Sequence, residues 1–277
     1  MNPHDYCQQK AAQSGSSFYY SFLFLPEERR RAITALYAFC REVDDVVDEV
    51  SDPAVARAKL GWWSGEIERV FRGGAQHPVA LALADVVGPF GIEEDRLHEI
   101  VAGMFMDLDH PRYADFAGLK HYCHHVAGVV GLLSAKIFGY RDERTLEYAE
   151  ELGLAFQLTN IIRDVGEDAR RDRIYLPRTE LEEYGVTEAD IIHARETDDF
   201  KRLMAFQIAR ALAHYDSAFA MLPDIDRKTQ RPGIVMAAIY RTLLKEIADD
   251  GCHVLTRRTA LTPVRKLWIA WRTWMRG

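Results

Sequence analysis

The chain has 277 residues, a net charge of −7 and a predicted isoelectric point of about 5.8, and 48% of its residues are apolar. That apolar fraction excludes a disordered chain, and the acidic balance argues against a nucleic-acid scaffold. No apolar run approaches the roughly 20 residues that span a bilayer, and the start MNPHDYCQQK has no apolar core of a signal peptide, so a cytoplasmic protein is expected.

Helical patterns follow one another along the chain. From Glu27 to Val50 there is no Gly or Pro, and Ile33, Leu36, Tyr37, Cys40, Val43 and Val47 recur at three- and four-residue steps. Pro26 with Glu27 and Glu28 forms a suitable start, because proline fits the first turn and acids favour the positive helix end; Pro53 closes the region. Further helices are predicted at about 54–72, 78–88, 93–108, 115–138, 142–165, 187–194, 198–221, 231–250 and 262–275. Gly73-Gly74, Gly88-Pro89, His110-Pro111 and Leu222-Pro223 are short breaks, and no alternating strand pattern or internal repeat is seen. The expectation is one all-α domain over 1–277. Cys7, Cys40, Cys123 and Cys252 never form a CxxC and read as reduced thiols.

Two groups of acids stand out. Asp44 and Asp48 are four residues apart, on one helix face about 6 Å from each other, where like charges destabilise a bare helix. Val43, Val46 and Val47 border them with apolar surface, and charge beside a core needs a partner. An isolated DDxxD is more often a solvated acidic face. Here a second group, Asn160, Asp164 and Asp168, also steps by four, with Gln157 one turn earlier among Leu154, Phe156, Leu158, Ile161 and Ile162. Oxygen-only ligands on two helices suit Mg²⁺, with Mn²⁺ as a substitute, bridging carboxylates to a phosphate. Arg41 and Arg163 accompany the groups, either as forks for phosphate or as a balance to the acids. Gly128 and Gly131 lie inside a predicted helix at a cost of about 1 kcal/mol each, making room for a long apolar substrate or for close helix packing.

These residues resemble the squalene/phytoene synthase family, the head-to-head prenyl synthases of the isoprenoid synthase fold. The resemblance is carried by Ser17-Phe18-Tyr19, Phe24-Leu25-Pro26, Ala35 to Arg41, Val126 to Gly131, Gln157 to Asp164 and Arg173 to Pro177. It implies an all-α fold around a central apolar cavity, with Asp44, Asp48, Asp164 and Asp168 binding Mg²⁺ and Asn160 assisting. Ser17, Arg41 and Arg163 would contact diphosphate. Phe18, Tyr37, Val126, Ala127, Gly131, Leu154 and Gln157 would line prenyl channels, and Tyr122, Tyr175 and Tyr240 would form a polar aromatic wall. Within the family, Ser14 to Phe24, Glu42 to Glu49 and Gly166 to Arg171 look most like bacterial presqualene diphosphate synthases of hopanoid pathways. Those join two molecules of farnesyl diphosphate, need no NADPH for this step, and would hand their product to downstream squalene-forming enzymes. Phytoene synthase, full squalene synthase and a non-catalytic helical subunit are the alternatives.

Two further features need an account. His121 and His125, one helical turn apart, are spaced as zinc ligands are, but no HExxH follows and local hydrogen bonding is preferred. Between Arg257 and Gly277 there are six basic residues and no acid, with Trp268, Trp271, Trp274 and Met275 on one side of a helical wheel and Arg265, Arg272 and Arg276 on the other. That pattern fits either a helix peripheral to the inner face of a membrane or a terminal helix packed on the core.

Overall fold

The computed structural model describes residues 2–14, 17–109 and 112–276, without the side chains of Ser17 and Arg276. The assignment of Ser17 to diphosphate therefore lies outside the described side chains. The described residues form helices and no strand, with one isolated parallel bridge between Arg112 and Ile174.

The chain opens with α1 (Pro3–Gln13) and α2 (Ser17–Phe22), followed by α3 (Glu27–Glu49), α4 (Pro53–Arg72), α5 (Pro78–Phe90) and α6 (Glu94–Asp109). Helix α1 was not predicted because only Cys7 and Ala11 of it are buried, too small an apolar pattern to register. Its start is nonetheless written in the sequence: the Asn2 side chain accepts from His4 N at 2.9 Å and Pro3 occupies the first turn.

The predicted 115–138 helix is three pieces: α7 (Phe116–Cys123), a π-helical turn at His124–Gly128 and α8 (Val129–Phe138). The wide turn pushes out Val126 and Ala127, both of which line the cavity described below. Helix α9 (Arg144–Arg170) continues past the predicted end at 165. The short helices α10 (Arg178–Tyr184) and α11 (Glu188–Ile192) lead to the long α12 (Asp198–Met221), then α13 (Arg231–Asp249) and α14 (Pro263–Arg276).

Glycines set how closely these helices approach. A Cβ on Gly131 would lie 2.3 Å from the Ala149 carbonyl oxygen, so α8 and α9 touch backbone to backbone. Close packing is therefore the reason for that glycine, even though its Cα also faces the cavity. Gly166 meets the 252–260 loop the same way: a Cβ would lie 2.3 Å from the Leu255 carbonyl oxygen, and its N–H donates to Val254 O at 3.2 Å.

Buried side chains fall into two clusters. One centres on α3 to α6 and the inner face of α8, the other on α9, α12 and α13, and Phe18, Val126 and Trp274 pack against both. The cavity opens along the seam between them.

Candidate active site

The cavity has a volume of about 500 Å³. Phe18, Phe22, Met104, Val126, Leu152 and Met236 contribute apolar wall, and Arg41, Asp44, Arg163, Arg258 and Lys266 contribute charged groups, with Asn160 a polar one. Such a lining suits an elongated apolar molecule with an anionic head.

Helix α9 shows why these side chains meet. Ala149, Leu152, Gly153, Phe156, Gln157 and Asn160 follow a single helical stripe and line the cavity. Leu154 is off that stripe and buried in the core, which corrects its assignment as a channel residue. Phe18, Tyr37, Val126, Ala127, Gly131, Gln157, Tyr122 and Tyr240 do line the cavity. The Tyr240 hydroxyl donates to Asn160 Oδ1 at 3.1 Å and Asn160 Nδ2 to Gln157 Oε1 at 3.3 Å, so both predicted amides are partnered. Phe18 and Tyr37 lie with ring centroids 5.4 Å apart. Tyr175 lies elsewhere: it borders a much smaller pocket with Asp168 and Arg173.

The acids differ in what neutralises them. Arg41 donates to Asp44 at 2.7 Å and also pairs with Asp45, which Lys10 approaches to 2.9 Å. Asp48 is held by two arginines, Arg171 and Arg173, each at 2.8 Å, and Arg173 also donates to Val47 O at 2.9 Å. Asp164 accepts from Arg163 at 2.7 Å and from Arg258 at 2.7 Å. Arg258 reaches it because the Gly166 contact brings the 252–260 loop onto α9. Its place is therefore at the acids, not with the basic residues of the terminal helix.

These environments move the carboxyl groups in opposite directions. Asp44 is pushed up to about 7 by burial and by Asp48, against the pull of Arg41. Its side chain is 39% exposed, and Asp44 lines the cavity, so that exposure is to the cavity. Burial and the charge of Asp164 push Asp168 up to about 8. Burial would raise Asp164 too, yet the hydrogen bonds and charge of Arg163, with those of Arg258, hold it below the ordinary carboxylate range.

Sequence reasoning missed Asp107 on α6. Its carboxylate accepts from the Tyr122 hydroxyl at 2.9 Å and the Tyr175 hydroxyl at 2.7 Å. Those two rings stack with centroids 5.3 Å apart. Burial raises Asp107 to about 6, with the tyrosine hydrogen bonds and Arg173 opposing. Tyr122 and Tyr175 are thus one unit joined through a third carboxylate. The signal was present, since Asp107 sits among Met104, Phe105, Met106 and Leu108 as the other acids sit among valines and isoleucines.

Among the described residues, no three His, Cys, Asp or Glu side chains converge on a single metal position. The acids turn to guanidinium groups instead. The donor set still fits a hard divalent cation: the ligands are all oxygen, and the ionised forms of Asp44 and Asp168 are disfavoured by burial and neighbouring acids, an imbalance a bound cation would relieve. The histidines are engaged locally, His125 Nδ1 with His121 O at 2.9 Å and His124 Nδ1 with Glu150 at 2.7 Å.

Comparison with known proteins identifies the family and the fold. The squalene/phytoene synthase family profile matches residues 11–265. A chloroplastic phytoene synthase of Narcissus pseudonarcissus is 36% identical over 95% of this chain, which spans 64% of that protein. The phytoene synthase of Arthrospira platensis is 34% identical, with 95% of this chain and 90% of that protein covered. Among solved structures, a dehydrosqualene synthase superposes with a TM-score of 0.89 at 27% identity, covering 98% of this chain and 95% of that one. Squalene synthase HpnC of Alicyclobacillus acidocaldarius gives 0.79 at 28% identity, covering 90% and 94%. The architecture is the isoprenoid synthase fold of head-to-head prenyl synthases. The family match and the fold agree, and the chain belongs to the squalene/phytoene synthase family.

Proposed function

We propose that this chain is a prenyltransferase that condenses two molecules of farnesyl diphosphate head to head into presqualene diphosphate, with release of one diphosphate. The observation that carries the reading is a cavity whose lining joins apolar side chains to Arg41, Asp44, Asn160, Arg163 and Arg258. An apolar chain with a diphosphate head matches both kinds of group.

Asp44, Asp48, Asp164 and Asp168, with Asn160, would hold Mg²⁺ around the diphosphate. When bound, the metal neutralises diphosphate oxygens and makes the group easier to expel. Arg41, Arg163 and Arg258 stabilise the charge that grows on the departing oxygen as the C–O bond of the first substrate breaks. The electron pair leaves with the diphosphate, and an allylic cation remains. Phe18 and Tyr37 present ring faces to it, and the apolar wall disfavours water beside it. The 2,3-double bond of the second substrate supplies the pair for the new carbon–carbon bond. Loss of a proton then lets the cyclopropane close, while the second diphosphate stays on the product. The released diphosphate or a tyrosine hydroxyl accepts that proton. In support of the latter, Tyr122 lines the cavity and its hydroxyl donates to Asp107.

The test is incubation with farnesyl diphosphate and Mg²⁺ without NADPH, followed by product mass analysis. Presqualene diphosphate is expected. Squalene formed once NADPH is added would move the stopping point, and absence of diphosphate release would leave a non-catalytic subunit. A second reading, phytoene synthase, draws on identity of 34–36% to chloroplastic and cyanobacterial phytoene synthases. It predicts preference for geranylgeranyl diphosphate in the same assay. Hopanoid synthesis as the setting, with a squalene-forming enzyme downstream, follows from the presqualene reading.

A further inference from the structure

Helix α14 is held to the rest of the molecule by one side. Ile269 and Ala270 are buried, Trp274 packs on Phe24 with ring centroids 5.3 Å apart, and Arg265 pairs with Glu246 at 2.6 Å. Trp274 therefore belongs to the packed side, correcting its grouping with Trp268 and Trp271. Both alternatives for this helix hold together: one face packs on the core and another stays bare.

That bare face comprises Val264, Leu267, Trp268, Trp271 and Met275, each between 46% and 78% exposed. The other exposed large apolar side chains among the described residues are scattered over several elements; this is the one place where five occur on a single helix. The segment Pro263–Arg276 contains four basic residues and no acid, in a chain whose net charge is −7. Arg272 lies with its guanidinium carbon 5.1 Å from the Trp268 ring centroid, at the margin of the apolar face.

We propose that this face of α14 docks on an anionic lipid surface, with Trp268 and Trp271 in the headgroup layer and Arg272, beside Trp268, meeting lipid phosphates. Exposed tryptophan flanked by arginine, with no acid on the helix, is the composition that an interfacial helix requires. A second copy of this chain fits less well, because a two-fold pairing of this face would set like charges against each other. The site of docking also has a use. Arg258, Thr259, Ala260, Leu261 and Lys266, which lead into and begin α14, line the cavity. Docking would set that wall beside the lipid in which long isoprenoid chains dissolve. This last point rests on the proposed reaction; the docking itself rests on the helix.

Flotation of the full chain with vesicles tests the proposal. Binding is expected on phosphatidylcholine vesicles containing about a third phosphatidylglycerol, weaker binding on phosphatidylcholine alone, and release as salt is raised. The W268A/W271A variant should lose about tenfold or more of its partitioning, and R272Q about fivefold. Both should keep wild-type helix content, and diphosphate release from detergent-dispersed substrate should be unchanged. Failure to float with anionic vesicles, or equal binding by W268A/W271A, overturns the proposal. So does a concentration-dependent dimer that W268A/W271A abolishes, which would assign the face to a second copy. Vesicle binding without any diphosphate release would uphold docking and sink the reaction, so the two failures are distinguishable.

Discussion

The two carboxylate helices look equivalent on paper and are not equivalent in the fold. On α3, Asp48 is clamped by Arg171 and Arg173 while Asp44 shares Arg41 with Asp45. On α9, Asp164 has two arginines, Arg163 and Arg258, while Asp168 is pushed up to about 8. Each helix therefore carries one neutralised acid and one left short of positive charge. The difference teaches that regular spacing creates the charge excess, and that arginines from distant segments decide where it remains. The under-compensated acids are where a cation gains most.

The largest expected effect comes from removing an acid. Asp44→Ala or Asp164→Ala should lower diphosphate release by about three orders of magnitude, as loss of an electrostatic catalytic group does, with helix content unchanged by circular dichroism. Near-normal turnover would end the assignment of these helices to a metal–diphosphate site. Arg173→Ala breaks the clamp on Asp48. It should cost about 2 kcal/mol of stability, since Asp48 keeps Arg171 but loses a charged hydrogen bond, and it should lower turnover less than Asp44→Ala. An unchanged melting temperature would show that Asp48 needs no clamp.

Proton and metal binding sharpen the same contrast. Raised carboxyl groups bind protons more tightly in the folded than in the unfolded chain, so their contribution to stability falls as pH rises through the unfolded value toward the folded one. For Asp44, at about 7, and Asp168, at about 8, that loss extends into the neutral range. Protons and Mg²⁺ compete there. The rise in melting temperature on adding Mg²⁺ should thus be larger at pH 8 than at pH 6, and a rise independent of pH would mean the cation binds elsewhere. The smallest effect expected is from Tyr240→Phe, which removes one hydrogen bond to Asn160 and should cost about 1 kcal/mol, a several-fold loss in kcat/KM.

Much of the site could be read before the fold was known, because each helix carries its own part of it. Asp44 and Asp48, or Asn160, Asp164 and Asp168, need only a helical repeat to share a side. Gln157 and Asn160 border the cavity, while Leu154, three residues before Gln157, turns into the core. A rotation of one residue decides that, and a motif does not reveal it. The residues missed share another property: their partners are remote in sequence. Asp107 is recognised by Tyr122 and Tyr175, and Arg258 matters because Gly166 lets a loop approach α9. The π-helical turn at His124–Gly128 was missed for a similar reason, since no local residue type announces it.

What the sequence by itself determined is the class of fold, the family and the spacing of the acids along α3 and α9. Helical periodicity and four-residue acid spacing are short-range properties, set by a repeat of 3.6 residues whatever the surroundings. The tertiary structure alone decided which acid is neutralised, which tyrosines act as one unit and which face of α14 stays bare. Those outcomes depend on contacts between segments tens to more than a hundred residues apart, as between Arg173 and Asp48, and charge compensation is settled only when such segments meet.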